Sequence, residues 1–220
     1  MRKGNLQERT GLRLRKRGGP VKPEFGPTLN AVITGASSGI ERAIAAAIAS
    51  TGAAVCLVGR NAERLEATAE KALATARTVL VCESDLTIDS AIDELALRLK
   101  HEFDALDVVV HCAGAYTAGK IETTPVEQLD ALYRVNLRLP FALTQALLPL
   151  LKVRPGQIVF VNSSQGLAAK AATGLFAATQ HALKGLADSL RQEVNADGIR
   201  VLSVYPGRTA TPRMKNPLRD

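Results

Sequence analysis

Six short apolar runs, at 29–34, 53–58, 78–82, 106–110, 157–161 and 200–204, alternate with longer amphipathic stretches at 40–51, 62–76, 88–103, 125–152 and 174–196. A short run that is apolar throughout has no polar face to turn toward solvent, so it reads as a strand buried on both sides. Strands of this kind, separated by helix-length segments, pair in parallel and carry helices on both faces. The expected fold class is α/β, a doubly wound parallel sheet in a single domain. The stretch 125–152 is long for one helix and is expected to form two, breaking near Asn136. Right-handed crossovers put ligands at the carboxyl ends of the strands, where strand order reverses. No internal repeat or second domain is visible, and the domain is expected to stop after its sixth strand, with no sequence for a seventh.

Composition supports one globular core. The chain has 220 residues, 46% apolar and 22% charged, enough for a single domain with a full interior. Its net charge of +7 is unevenly placed. Residues 1–27 hold eight basic side chains against Glu8 and Glu24, so nearly all of the excess lies there, together with Pro20, Pro23 and Pro27. Such a segment buries too little apolar surface to offset its ordering entropy, and a disordered basic tail is expected before a domain spanning 28–220. The tail is expected to be a solvated extension without function, in preference to a contact with nucleic acid or an acidic membrane, and no nucleic-acid partner is expected. No apolar run nears the roughly 20 residues that span a bilayer, and no charged-then-apolar leader opens the chain. Cys56, Cys82 and Cys112 lie in or beside apolar runs, so buried reduced thiols, no metal site and a cytoplasmic location are expected.

The chemistry-bearing signals lie at the strand ends. Thr34-Gly35-Ala36-Ser37-Ser38-Gly39-Ile40-Glu41 follows the first run and opens the first helix. Glycines there let backbone N–H groups approach a pyrophosphate, and a helix N-terminus favours negative charge. Gly35, Ser37, Ser38, Gly39 and Ile40 are therefore candidate cofactor contacts. The second run ends Val58-Gly59-Arg60-Asn61. A basic residue at that strand end accommodates a ribose 2′-phosphate, so Arg60 points to NADP(H) over NAD(H). The bland alternative, a surface arginine at a helix start, is disfavoured by the helix dipole. Asp85, with Leu86 beside it, either caps the next helix through Thr87 or Asp89 or resembles the aspartate by which dinucleotide-binding domains contact an adenine.

These motifs resemble those of the short-chain dehydrogenase/reductase family, whose Rossmann-like fold the resemblance implies over about residues 29–212. The glycine turn is similar to the family's Thr-Gly-x-x-x-Gly-x-Gly, except that Glu41 stands at the third glycine. That glycine normally allows close helix–strand packing, so Glu41 is expected to push the helix outward or turn away to solvent, and to weaken cofactor binding. His111-Cys112-Ala113-Gly114 resembles the family's Asn-Asn-Ala-Gly. Ala113 and Gly114 fit a cofactor contact, His111 reads as a satisfied strand-end histidine, and Cys112 is expected to lose a bracing hydrogen bond. Pro206-Gly207-Arg208-Thr209-Ala210-Thr211 resembles the segment that faces the nicotinamide carboxamide, implicating Pro206, Gly207, Thr209 and Thr211.

The resemblance implies a proton-handling set, and here the chain departs from it. Asn136 matches the family asparagine that orders a water, although it also reads as a helix break or cap. Ser163, thirteen residues before position 176, matches the serine that polarises a carbonyl, in preference to Ser164. The family's Tyr-x-x-x-Lys pair falls on Phe176 and Gln180. Phenylalanine has no O–H to give or take, and glutamine has no charge to depress a phenol. Tyr116 with Lys184 is a conceivable substitute, while Tyr133 and Tyr205 read as packing residues. The reading is an NADP(H)-dependent carbonyl/alcohol oxidoreductase with impaired catalysis, a small-molecule substrate and a homo-oligomeric assembly. The alternative is a non-catalytic NADP(H) sensor or oligomerisation scaffold.

Overall fold

The computed structural model describes residues 28–37, 39–209 and 211; the basic segment 1–27 and Ser38 lie outside them. Six strands form one parallel sheet in the order β3-β2-β1-β4-β5-β6. They are β1 (Asn30–Thr34), β2 (Ala54–Gly59), β3 (Thr78–Glu83), β4 (Val108–His111), β5 (Gln157–Val161) and β6 (Arg200–Val204). Each expected run is a strand, with ends shifted by at most two residues. Strand order reverses across β1, which pairs with β2 on one side and β4 on the other. A crevice therefore opens beyond Thr34 and His111, at the carboxyl ends of β1 and β4.

Successive strand side chains point to opposite faces, and two apolar clusters result. Helices α1 (Gly39–Ala49) and α2 (Ala62–Leu73) cover one face, where Ile48 and Leu65 pack on Ile33, Val55, Leu57 and Val110. Helices α3 (Asp89–Glu102), α5 (Leu139–Leu151) and α6 (Gly174–Val194) cover the other, where Leu99, Leu143, Leu147 and Leu183 pack on Val32, Val109, Ile158 and Phe160. Covering both faces is what the uninterrupted apolar runs demand.

The expected break near Asn136 is not a break. Helix α4 (Val126–Tyr133) runs through a π turn, Arg134–Arg138, directly into α5. A π turn inserts one extra residue without ending the helix, and Asn136 is buried within it. Its partners, described below, supply the physical reason. Tyr133, expected to pack, is instead half exposed at the end of α4.

All three cysteines are buried, unpaired thiols. Cys56 and Cys82, on adjacent strands, bring their Sγ atoms to 3.6 Å. That contact lowers the Cys82 thiol to about 7 against the opposing effect of burial. The same contact, with burial added, pushes Cys56 well up, so the pair is held as one donor and one acceptor.

Candidate functional site

Two clefts meet over the β1/β4 crevice. The larger, of about 500 Å³, runs from the glycine turn to the ends of β2 and β3. The smaller, of about 180 Å³, lies between the end of β4, the π turn and the start of α6. Glu41, Ala113 and Gly114 line both and form the junction.

The glycine turn is built for close approach. Gly35 has φ +73°, and a Cβ there would stand 2.9 Å from the Ala113 Cα. A side chain at this position is excluded by both backbone and space. Thr34 Oγ1 accepts hydrogen bonds from the Cys112 and Ala113 amides, each at 3.1 Å. These bonds hold the backbone at position 112, and no hydrogen bond of the Cys112 side chain accompanies them among those of the described residues. Arg42 adds a strap, donating from Nη2 to the Ser37 carbonyl at 2.9 Å.

Glu41 does not turn away to solvent, one of the two courses expected for it. Its Oε2 folds back to 2.9 Å from the place a Cβ on Gly39 would occupy, and the Thr211 methyl lies 3.3 Å from the same point. The Cys112 thiol is raised by burial first and then by the charge of Glu41. Within the turn the Ser37 amide donates to the Gly35 carbonyl at 2.6 Å, and a carboxylate stands over Gly39.

Of the expected cofactor contacts, Gly35, Ser37, Gly39, Arg60, Asp85, Leu86, Ala113 and Gly114 line the larger cleft. Ile40 lines the smaller one, Thr211 adjoins Gly39, and Pro206, Gly207 and Thr209 line neither. Pro206 accepts the Ser164 amide through its carbonyl, and Thr209 bonds the Gly207 carbonyl. Asp85 receives both the amide and the hydroxyl of Thr87, at 3.1 and 2.8 Å. Burial alone would raise its carboxyl; the two Thr87 bonds and the Arg60 guanidinium outweigh it and hold the group ionised. Asn61 and Arg64, which the sequence reading did not single out, line the cleft beside Arg60. The signal was present: Arg60 and Arg64 are four residues apart, with Asn61 capping α2 by accepting the Arg64 amide.

The smaller cleft gathers Asn136, Phe176 and Gln180 with Tyr116, His111 and Cys112; Ser163 does not line it. Asn136 is fully engaged as a donor. Its Oδ1 accepts the Ala115 amide at 2.8 Å, and its Nδ2 donates to the Ala115 carbonyl at 2.9 Å and Thr179 Oγ1 at 3.0 Å. These bonds tie the π turn to the β4 loop and to α6. Ser163 Oγ accepts the Gln165 amide at 3.2 Å and caps a short 3-10 turn, Ser164–Gly166. Phe176 and Gln180 are one turn apart on α6, as the spacing required. Tyr116, 59% exposed, packs edge-on against Phe176 with ring centres 5.0 Å apart. Lys184 is held by Asp188 at 2.6 Å and lies outside the cleft, so the conceived Tyr116–Lys184 pair is not assembled.

His111 closes the floor. It is fully enclosed, stacks on Phe160 at 4.8 Å and shares a 2.9 Å hydrogen bond between Nε2 and Thr144 Oγ1. Its Nδ1 has no partner among the described residues. Burial lowers its pKa to about 3. It is therefore neutral at physiological pH, though only half satisfied.

Residues 29–220 match the family model for short chain dehydrogenases. The chain belongs to the short-chain dehydrogenase family. An uncharacterized oxidoreductase of Staphylococcus epidermidis is 37% identical over 183 residues, covering 83% of this chain and 78% of that one. The D-beta-hydroxybutyrate dehydrogenase of Rhizobium meliloti is 35% identical over 196 residues, covering 88% and 76%. Among solved structures, the RhlG/NADP active-site complex of Pseudomonas aeruginosa superposes with a TM-score of 0.81 at 27% identity, covering 88% of this chain and 78% of that one. Short-chain dehydrogenases are oxidoreductases of small molecules that bind a nicotinamide dinucleotide, and the crevice described above lies where this fold receives one. Among the described residues no helix is long and apolar enough to cross a membrane, and no cluster of three potential ligands stands ready for a metal ion.

Proposed function

We propose that this short-chain dehydrogenase binds NADP(H) and acts on a carbonyl/alcohol pair with strongly impaired proton transfer. One observation carries the reading. The two positions of the family's acid and its activating lysine, Phe176 and Gln180, line one cleft one helical turn apart and offer neither a hydroxyl nor a charge. Bound nicotinamide supplies or accepts the hydride. The protein's part is to hold the ring and the carbonyl together and to deliver a proton. Gln180, 5% exposed at the cleft, can donate an amide hydrogen bond to a ribose hydroxyl. Phe176 presents an apolar ring to the cleft, with the exposed Tyr116 packed edge-on against it. Loss of a positioned general acid lowers the rate by roughly 10²–10⁴-fold, so the expected activity is slow.

Preference for NADP(H) is supported by Arg60 and Arg64 at the end of β2, where no acidic side chain is placed to take the ribose hydroxyls. Three unpaired thiols support a reducing, cytoplasmic setting. Self-association is supported by an apolar groove between the π turn, α5 and α6, with Leu137, Phe141, Ala142 and Leu186 in its wall. A second reading, a non-catalytic NADP(H) sensor or scaffold, draws on Glu41 and that groove together. Calorimetric titration with NADPH and NADH, followed by turnover assays with simple ketones and aldehydes, separates them. NADPH binding at least tenfold tighter than NADH, reversed in Arg60→Asp, supports the cofactor reading. Turnover at an ordinary rate refutes impairment, and none over hours favours the sensor.

A further inference from the structure

Strands β2 and β3 each carry one cysteine, and neither residue lines either cleft. Cys56 pairs with Leu80 and Cys82 with Val58, so the two are diagonal neighbours whose side chains point to the same face of the sheet, the one α3 covers. Their Sγ atoms are 3.6 Å apart, against the roughly 2.05 Å of a disulfide. β3 is the edge strand and pairs only with β2. A strand held on one side alone can yield the small slide that joining the sulfurs needs. Cys112 is no party to this contact, because it packs on the opposite face with α1 and α2.

The two thiols are unequal. Cys56 is fully enclosed, while Cys82 keeps 6% of its surface open. The Cys56 contact holds Cys82 down to about 7 against burial; Arg98 of α3 adds to this, and Glu102 of the same helix opposes it. The Arg98 guanidinium lies along the same strand, donating to the Val81 carbonyl at 3.4 Å. A substantial share of Cys82 is therefore thiolate at neutral pH, and the thiolate is the nucleophilic form. Cys56 is kept as a thiol by the same contact and by burial, with Arg98 acting the other way.

We propose that Cys82 and Cys56 form a reversible oxidation site for small hydroperoxides, closing to a disulfide that staples the edge strand β3 to β2. The Cys82 thiolate attacks one oxygen of hydrogen peroxide. The S–O bond forms, the O–O bond breaks, and the departing hydroxide takes up the proton that Cys82 had released. The resulting sulfenic acid already touches the Cys56 sulfur. The S–S bond then forms, the S–O bond breaks, and the Cys56 proton leaves with the hydroxyl as a second water. Two thiols have given up two electrons and two protons, and the peroxide has become two waters. The bond joins positions 26 residues apart, and closing such a loop restricts the unfolded chain and raises the melting temperature. Thiol reductants reopen it.

The test treats the full chain with hydrogen peroxide, unfolds it, blocks the remaining thiols with iodoacetamide and maps the peptides by mass. The expected result is a loss of two hydrogens, a linked Cys56–Cys82 peptide pair, Cys112 alone alkylated, and full reversal by dithiothreitol. The oxidised chain should melt about 5–15 °C above the reduced one. Cys56→Ser should leave Cys82 as a sulfenic acid that dimedone traps, and Cys82→Ser should leave Cys56 reduced. Mapping of the parent needs neither variant, so the test stands if they fold poorly. Three alkylatable thiols after prolonged exposure to excess peroxide overturn the proposal. So does a bond that includes Cys112 or links two chains, or Cys82 oxidised to the sulfinic acid with Cys56 still free. A Cys56–Cys82 bond that leaves Tm no higher than in the reduced chain overturns the staple.

Discussion

His111 makes the stability of this protein depend on pH in a range where carboxylates contribute little. In the folded chain its pKa falls to about 3 because the ring is buried between Phe160 and Thr144. In the unfolded chain it returns to an ordinary value of about 6.5. Because the folded pKa is the lower one, the unfolded state takes up the proton first. Stability is therefore complete above about pH 6.5 and is lost as pH falls toward 3. Between pH 7.5 and 5.0 the linkage amounts to about 2 kcal/mol, fixed almost wholly by the unfolded pKa. For a domain of this size that is about 4–8 °C in Tm. The assay is thermal unfolding of the parent and His111→Asn across pH 5.0–7.5. His111→Asn loses the ring stack, so its absolute stability changes, but its Tm should vary with pH by about 4–8 °C less than the parent's over this range. Parallel curves for the two proteins would refute the argument and mean that His111 titrates normally in the fold.

Two further substitutions test the smaller cleft. Asn136→Ala removes three hydrogen bonds at 2.8–3.0 Å from a residue 2% exposed, and should destabilise the domain by about 2–4 kcal/mol; a chemical-denaturation change below 0.5 kcal/mol would show the ties to be dispensable. Phe176→Tyr combined with Gln180→Lys should raise NADPH-dependent ketone reduction by roughly 10²–10⁴-fold, read from initial rates at saturating cofactor. An unchanged rate with NADPH still bound would place the limitation elsewhere, with Ser163, whose Oγ caps a turn outside the cleft, as the next residue to examine.

The sheet could be read from the sequence because each strand is apolar on both faces, a pattern that few alternatives share. Helix ends were legible to within three residues; α2, for instance, stops at Leu73, short of Ala76, with the Thr75 and Ala76 amides turned back to the Ala72 carbonyl. What stayed hidden depends on groups distant in the chain. The π turn could not be told from a break, because Asn136 is held by Ala115 and Thr179, on the β4 loop and α6. The brace from Thr34 to Cys112 and Ala113 spans the β1/β4 pairing and has no local signature. The motif positions of Phe176 and Gln180 were legible because helical spacing alone puts them on one face. The direction taken by Glu41 was not, since a glutamate in a first turn can lie outward or fold back with equal local ease.

The π turn at Arg134–Arg138 also constrains how this region can change. It holds one residue more than a regular helix would need for the same stretch, and the widened turn absorbs that surplus, so α5 leaves it in the phase of an uninterrupted helix. Deleting one of its five residues would let α4 run into α5 as a continuous α-helix, with Leu143, Leu147 and Leu151 still seated on the sheet. What would go is the widened turn that brings Asn136 to Ala115 and Thr179. The surplus residue serves the buried polar ties of this region and not the seating of its leucines.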